Sequence, residues 1–144
     1  MNSYIAKSML ALACALMLTV PISGQKGKPG GGGTTGGSAC AVVATPTLST
    51  TTSSPGLNVG VFGRVGNCSG GKQRYTVTIS AVSSCGQETV IASSVISFNG
   101  GETKLISVSY PIAPETCVGA STINVDVSSG GTSLGSQSTV LTIQ

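Results

Sequence analysis

Gln73-Arg74-Tyr75-Thr76-Val77-Thr78-Ile79-Ser80-Ala81-Val82 is the stretch on which the fold turns. Tyr75, Val77, Ile79 and Ala81 fall on one side of an extended chain, and Arg74, Thr76, Thr78 and Ser80 on the other. Strict alternation of this kind marks a strand with one face in a core and one in water. Two of the outward positions, Thr76 and Thr78, are β-branched, which favours a strand.

The same period recurs on both sides. Upstream, Ala41 to Ser49 is a first run that ends in a Ser/Thr cluster and Pro55-Gly56. Leu57 to Val65 follows, with Leu57, Val59, Val61 and Val65 on one face and Asn58, Gly60, Phe62 and Arg64 on the other. The turn Ser69-Gly70-Gly71 leads into the strand quoted above. Downstream, Glu88 to Phe98 loses phase between Val90-Ala92 and Val95, which predicts a bulge or two short strands. Asn99-Gly100-Gly101 reads as a hairpin turn, because Asn and Gly accept positive φ. Lys104 to Ile112 carries Ile106, Val108, Tyr110 and Ile112 on one face, and Pro111 and Pro114 close it. Ser121 to Val127 points Ile123, Val125 and Val127 inward, and Gly130-Gly131 turns towards a last strand, Ser138 to Ile143. Seven short strands between turn signals predict an all-β, antiparallel sandwich over residues 39–144. No fixed sequence period supports a β-helix or repeat array.

The remainder of the chain is of a different kind. Lys7 precedes an apolar run from Met9 to Val20, Pro21 ends it, and Ser23-Gly24 supplies small residues. This is the three-part pattern of a secretory signal peptide over 1–24, and the run falls well short of the roughly 20 residues that span a bilayer. Leu12-Ala13-Cys14 looks like part of a lipobox, but its leucine stands one place too late and the apolar run continues past it, so Cys14 reads as a passenger in the signal. Residues 25–38 are rich in Gly, with no side chain that could build a core, and read as a disordered tether. It serves either as a spacer or as an N-terminus without a role of its own. Signal and tether are bacterial in style.

Two stretches carry a family resemblance. Ser97-Phe98-Asn99-Gly100-Gly101-Glu102-Thr103-Lys104 and Gly119-Ala120-Ser121-Thr122-Ile123-Asn124-Val125-Asp126-Val127 resemble a hairpin and a penultimate strand of bacterial immunoglobulin-like and fibronectin type III-like modules of secreted proteins. The resemblance covers Cys40 to Gln144 and implies a seven-stranded immunoglobulin-like sandwich. The sequence departs from the antibody type in having no Trp, and Ser121 or Thr122 stands where a corner tyrosine is often found. A fold so widely shared names no function.

Four cysteines lie beyond the signal: Cys40, Cys68, Cys85 and Cys117. In an exported chain they imply two disulfides, with three possible connectivities. The strand order of the immunoglobulin-like sandwich chooses among them. Cys40 opens the first strand and Cys68 closes the second, so they meet at one pole of a hairpin centred near residue 54. Cys85 follows the third strand and Cys117 precedes the sixth, which are antiparallel neighbours in such a sandwich. The expectation is Cys40–Cys68 and Cys85–Cys117.

Composition argues against catalysis. The chain of 144 residues contains no His and is only 8% charged. Gly131-Thr132-Ser133-Leu134-Gly135 matches G-x-S-x-G, but a nucleophile elbow needs a strand-to-helix turn and a base. The acids Glu88, Glu102, Glu115 and Asp126 are dispersed, no C-x-x-C pair or His suggests a metal, and no phosphate-cradling loop implies a cofactor. With Lys7 removed, six bases face four acids, a balance of +2 that is too weak to imply nucleic acid or an anionic membrane. Asn67-Cys68-Ser69 fits a glycosylation sequon around a cysteine expected to be bonded. Arg64, Lys72 and Arg74 flank the Ser69-Gly70-Gly71 turn, and form either a solvated surface or a small basic patch for acidic groups such as polysaccharide uronates. The function expected is a secreted or cell-surface, non-enzymatic binding or structural module for a protein or polysaccharide. The alternatives are a subunit of a surface assembly that pairs through an edge strand and, more remotely, a hydrolase accessory domain.

Overall fold

The computed structural model describes residues 37–144, so the signal segment, Cys14 and most of the glycine-rich stretch lie outside the described residues. Nine strands form two sheets, with no helix among the described residues. They are β1 (Ala41–Val43), β2 (Thr47–Leu48), β3 (Thr52–Ser53), β4 (Asn58–Asn67), β5 (Gln73–Val82), β6 (Glu88–Phe98), β7 (Thr103–Pro111), β8 (Gly119–Ser129) and β9 (Thr132–Ile143). In the first sheet β4 is central, with β1 and β2 on one side and β7 on the other, all antiparallel. The second runs β3-β9-β8-β5-β6, antiparallel except for β3 on β9.

The alternation read from β5 holds for its inner face: Tyr75, Val77, Ile79 and Ala81 are buried. They meet Ile123, Val125 and Val127 of β8, Leu141 and Ile143 of β9, and Val59, Val61 and Val65 of β4 in one core. Gly63 also faces inward from β4, towards the two methyls of Val125. The outward set is less uniform, since Ser80 is buried where alternation had placed it in water. The register of β5 on β6 shifts there: Ile79 pairs with Ala92 and Ser80 with Val90, leaving Ile91 as the extra residue of a bulge. This is the phase slip seen in Glu88 to Phe98, and it occurs within one continuous strand.

Four other expectations are corrected. The strand expected over Ala41 to Ser49 breaks at Ala44–Pro46 into β1 and β2, and the Ser/Thr cluster expected to end it forms a further strand, β3, in the second sheet. Proline has no N–H to give a ladder, and Pro46 is buried at the break. Leu57 lies ahead of β4 and is 56% exposed, outside the core it was assigned to. Asn99-Gly100-Gly101 does turn the chain, with Gly101 at φ 72° and the Glu102 N–H donating to Asn99 O at 3.1 Å, but it makes no hairpin. β6 belongs to the second sheet and β7 to the first, so the turn carries the chain between sheets. The last strand begins at Thr132 and not at Ser138, because Gly130 and Gly131, at φ 55° and 82°, make a tight turn that starts β9 at once.

Two groups in this core make direct predictions. Ser121 Oγ is buried on the inner side of β8 without a hydrogen-bond partner among the described residues. An unpaired hydroxyl there costs about 1 kcal/mol or more. Ser121→Ala is therefore expected to leave stability unchanged or raise it by about 1 kcal/mol in urea denaturation; a loss of that size would show that the hydroxyl has a partner. Burial raises the Tyr110 phenol above its ordinary 10.0. A raised folded value means that its contribution is complete below the unfolded pKa and is lost as pH rises through the folded one. The alkaline fall in thermal midpoint should be shallower in Tyr110→Phe than in the parent.

Candidate functional site

The strands bring their ends to two poles, and the polar and charged side chains gather there. The N-terminal pole joins the start of β1, the end of β4, the β4–β5 loop, the β6–β7 turn and the β8–β9 turn. Its centre is Asn67, 2% exposed at the end of β4. Asn67 Nδ2 donates to Gly71 O at 2.8 Å and Asn99 O at 2.9 Å, which uses both amide hydrogens on two different loops. Asn67 Oδ1 accepts from Ser69 N at 2.9 Å, Ser69 Oγ at 2.7 Å and Tyr75 OH at 2.8 Å. The Tyr75 hydroxyl also reaches Cys40 O at 2.8 Å, so its one proton is shared between two acceptors. With both donors engaged inside the protein, the sequon amide is not presented to solvent.

The two loops that Asn67 joins are in backbone contact. A Cβ at Gly100 would stand 2.5 Å from Gly70 O, so only glycine fits. Cys40–Cys68, with Cα atoms 5.1 Å apart, closes the same pole, and Cys68 N–H donates to Cys40 O at 2.9 Å. Glu102 caps the β6–β7 turn by accepting from Asn99 N at 2.7 Å. Lys104 Nζ lies 3.6 Å from Glu102 Oε1, donates to Ser97 O at 2.7 Å and stands 5.4 Å above the Phe98 ring, so it ties β7 of one sheet to β6 of the other.

At the opposite pole Cys85 and Cys117, Cα atoms 6.1 Å apart, join the β5–β6 loop to the segment before β8. Ser84 Oγ donates to Val118 O at 2.8 Å beside Gly119, which has φ 127°. Each disulfide closes a loop with a sequence separation of 28 or 32 residues. In the chain-entropy account each is worth about 3–4 kcal/mol.

The basic cluster is distributed differently from its sequence spacing. Arg64 lies on the outer face of the first sheet, opposite Leu105 of β7. Arg74 lies on the outer face of the second sheet, opposite Ser97 of β6. Lys72 stands in the loop that crosses between them. The three share a pole but not a face, and Lys104, distant from them in sequence, joins them there. Ser133 stands exposed on β9, opposite Ser128, next to a glycine hairpin turn and not on a strand-to-helix elbow. Among the described residues there is no group of three or more His, Cys, Asp or Glu placed to hold a metal, and no pocket.

No protein-family model matches the chain, and no curated protein matches it. Solved structures share its fold. It is similar to part of a β-glucosidase from Erythrobacter marinus, at TM-score 0.61 and 14% identity over 74% of this chain and 16% of that one. It is similar to part of the Pseudomonas fluorescens alkylpurine DNA glycosylase AlkC bound to DNA containing an abasic site analog, at TM-score 0.61 and 17% identity over 76% and 32%. It is also similar to the CARDB domain of a Pyrococcus furiosus protein, solved in complex with di-metal ions, at TM-score 0.59 and 14% identity over 74% and 89%. The chain thus spans less than a third of the first two and nearly all of the third. Identities this low speak for fold alone.

Asn67 is the residue on which this pole can be tested. Asn67→Ala orphans Ser69 N, leaves Gly71 O only its bond from Ser69 Oγ at 3.0 Å and Asn99 O only its bond from the Glu102 N–H, and should cost about 3 kcal/mol in urea denaturation at neutral pH. Asn67→Asp should be worse at neutral pH, since a carboxylate oxygen would face two carbonyls. Those carbonyls raise the carboxyl pKa in the folded state, so the variant should regain stability as pH falls through that value. A variant as stable as the parent would show that the network contributes nothing.

Proposed function

We propose that the chain is an exported, non-enzymatic module of immunoglobulin-like or fibronectin type III-like architecture, which binds or spaces a protein or polysaccharide partner in an extracytoplasmic compartment. The observation that carries this reading is the pair of disulfides, one at each pole of a small all-β domain. Such bonds persist in oxidising compartments, which agrees with the signal pattern over 1–24. The CARDB-domain likeness supports a module that stands as a domain by itself, and the enzyme likenesses cover small parts of much longer chains. Counting β1 to β3 as one broken strand leaves seven, three in one sheet and four in the other, which supports the immunoglobulin-like assignment. Among the described residues no helix is long and apolar enough to cross a membrane.

A second reading, a subunit of a surface assembly, is favoured by the outer edge of β6, which pairs with no strand among the described residues and carries a single charge, Glu88. The remote reading as a hydrolase accessory domain rests only on the β-glucosidase likeness.

Intact mass and non-reducing peptide mapping of material secreted by the native host test the main reading. The expected product lacks about the first 24 residues and contains Cys40–Cys68 and Cys85–Cys117. Four free thiols in protein retained inside the cell would overturn export. Labelling of Ser133 by a fluorophosphonate probe would overturn the non-enzymatic assignment; none is expected.

A further inference from the structure

The basic residues of the described domain gather at one pole. All four of its basic residues, Arg64, Lys72, Arg74 and Lys104, lie towards the N-terminal pole. Arg64 and Arg74 are exposed on opposite outer faces there, and Lys72 is exposed in the loop between them. Of the acids on this side, Glu102 is already engaged by Asn99 N–H and Lys104, and Asp126 lies back from the pole on the outer face of the second sheet, paired with Thr78 and Ser136. No basic residue of the described region lies at the opposite pole. Exposed Glu88 and Glu115 do, drawn together by the Cys85–Cys117 bond that each flanks.

Exposed apolar side chains accompany both sets. Val42 and Leu105, 60% and 61% exposed, sit beside Arg64 on the first sheet. Leu57 and Val118, 56% and 67% exposed, sit at the acidic pole. There the Ile112 N–H donates to Leu57 O at 2.9 Å and keeps Leu57 against the segment that carries Glu115. One end of the molecule thus offers cations around apolar contacts, and the other offers anions around apolar contacts.

We propose that copies of this domain associate head to tail, the Glu88–Glu115 pole of one seated on the Arg64–Lys72–Arg74 pole of the next. The two surfaces differ, so the contact is heterologous and can propagate into an open array, whereas an isologous contact would stop at a dimer. Each exposed ion pair is weak, so the contact is salt-sensitive and reversible. The inference concerns the two poles alone and stands or falls independently of export.

Sedimentation of the exported chain over a wide concentration range, at low and high salt, reads this directly. The parent should form concentration-dependent species larger than a dimer, with association weakened about tenfold or more at high salt. Glu88→Gln/Glu115→Gln and Arg64→Gln/Lys72→Gln/Arg74→Gln should each be monomeric with an unchanged thermal midpoint. Mixed in equal amounts, they retain one intact pole each and should form a 1:1 dimer and nothing larger. A parent that stays monomeric throughout would overturn the proposal. So would a closed dimer that both variants still form, which would indicate lateral pairing of edge strands, or variants that fail to associate when mixed.

Discussion

Burying an amide side chain costs several kcal/mol unless its groups find partners, and Asn67 meets that condition by recruiting two loops and a tyrosine. Both of its hydrogens go to carbonyls of different loops, Gly71 O and Asn99 O. Those loops therefore close together, and Gly100 and Gly70 come into backbone contact that a single methyl would prevent. Tyr75 is held by the same oxygen and carries the constraint into the core, where its ring lies 5.3 Å from that of Phe98. Its hydroxyl also holds Cys40 O, so the first residues of the domain are fixed by the same network. The Cys40–Cys68 bond then constrains a pole that hydrogen bonding has already organised.

The opposite pole has no such hub and depends more on covalent closure. Its β5–β6 loop is organised locally, by Ser83 N–H to Gln87 O and Gly86 N–H to Ser83 O, both at 2.9 Å. Among the described residues, Cys85–Cys117 and the Ser84–Val118 hydrogen bond tie that loop to the chain before β8. Reduction should loosen this end more than the Asn67 end, because the five bonds of Asn67 still join two loops and a core tyrosine there. At this end the side-chain bonds of Ser83 stay within the β5–β6 loop, and among the described residues the Ser84–Val118 bond alone then joins that loop to the chain before β8.

Legibility in the sequence followed the range of the interactions. The inner faces of β5, β7 and β8 were plain because period two is local: each apolar side chain reports its own face. The bulge at Ile91 was legible for the same reason, as a break in that period. The fate of the Asn99-Gly100-Gly101 turn was not, because positive φ at Gly101 is a local demand while the sheet that β7 joins is decided by β4, nearly forty residues upstream. The start of β9 was hidden by its own composition: Ser, Gly and Gln fill its first half, and a second register shift, between Val127 and Ser128, interrupts the alternation near Leu134. The basic residues near the Ser69-Gly70-Gly71 turn looked like one patch because they are close in sequence. That turn crosses from one sheet to the other, so neighbours along the chain became opposite faces of the domain. Asn67 carried a sequon and no other signal, and its role depends on partners brought in by the fold.

The open edges bear on how such a domain meets its neighbours. β6 and β7 each pair on one side only among the described residues, and an unpaired edge is a template for another strand. β7 carries Lys104 at one end and Pro111 at the other, and both discourage pairing. β6 has neither, but its bulge at Ile91 divides the strand into two short pieces whose side chains change face partway along. An incoming strand in register with one piece is out of register with the other, so this edge is a poor partner for a second copy of itself. Lateral growth is thereby disfavoured at β6 and β7; β9 is covered by β3 only at Thr142 and Ile143, and its stretch from Thr132 to Leu141 has no strand on its outer side among the described residues. The poles, where all the basic side chains of the described domain lie at one end, two exposed acids lie at the other and apolar side chains remain exposed at both, are the surfaces that charge complementarity favours.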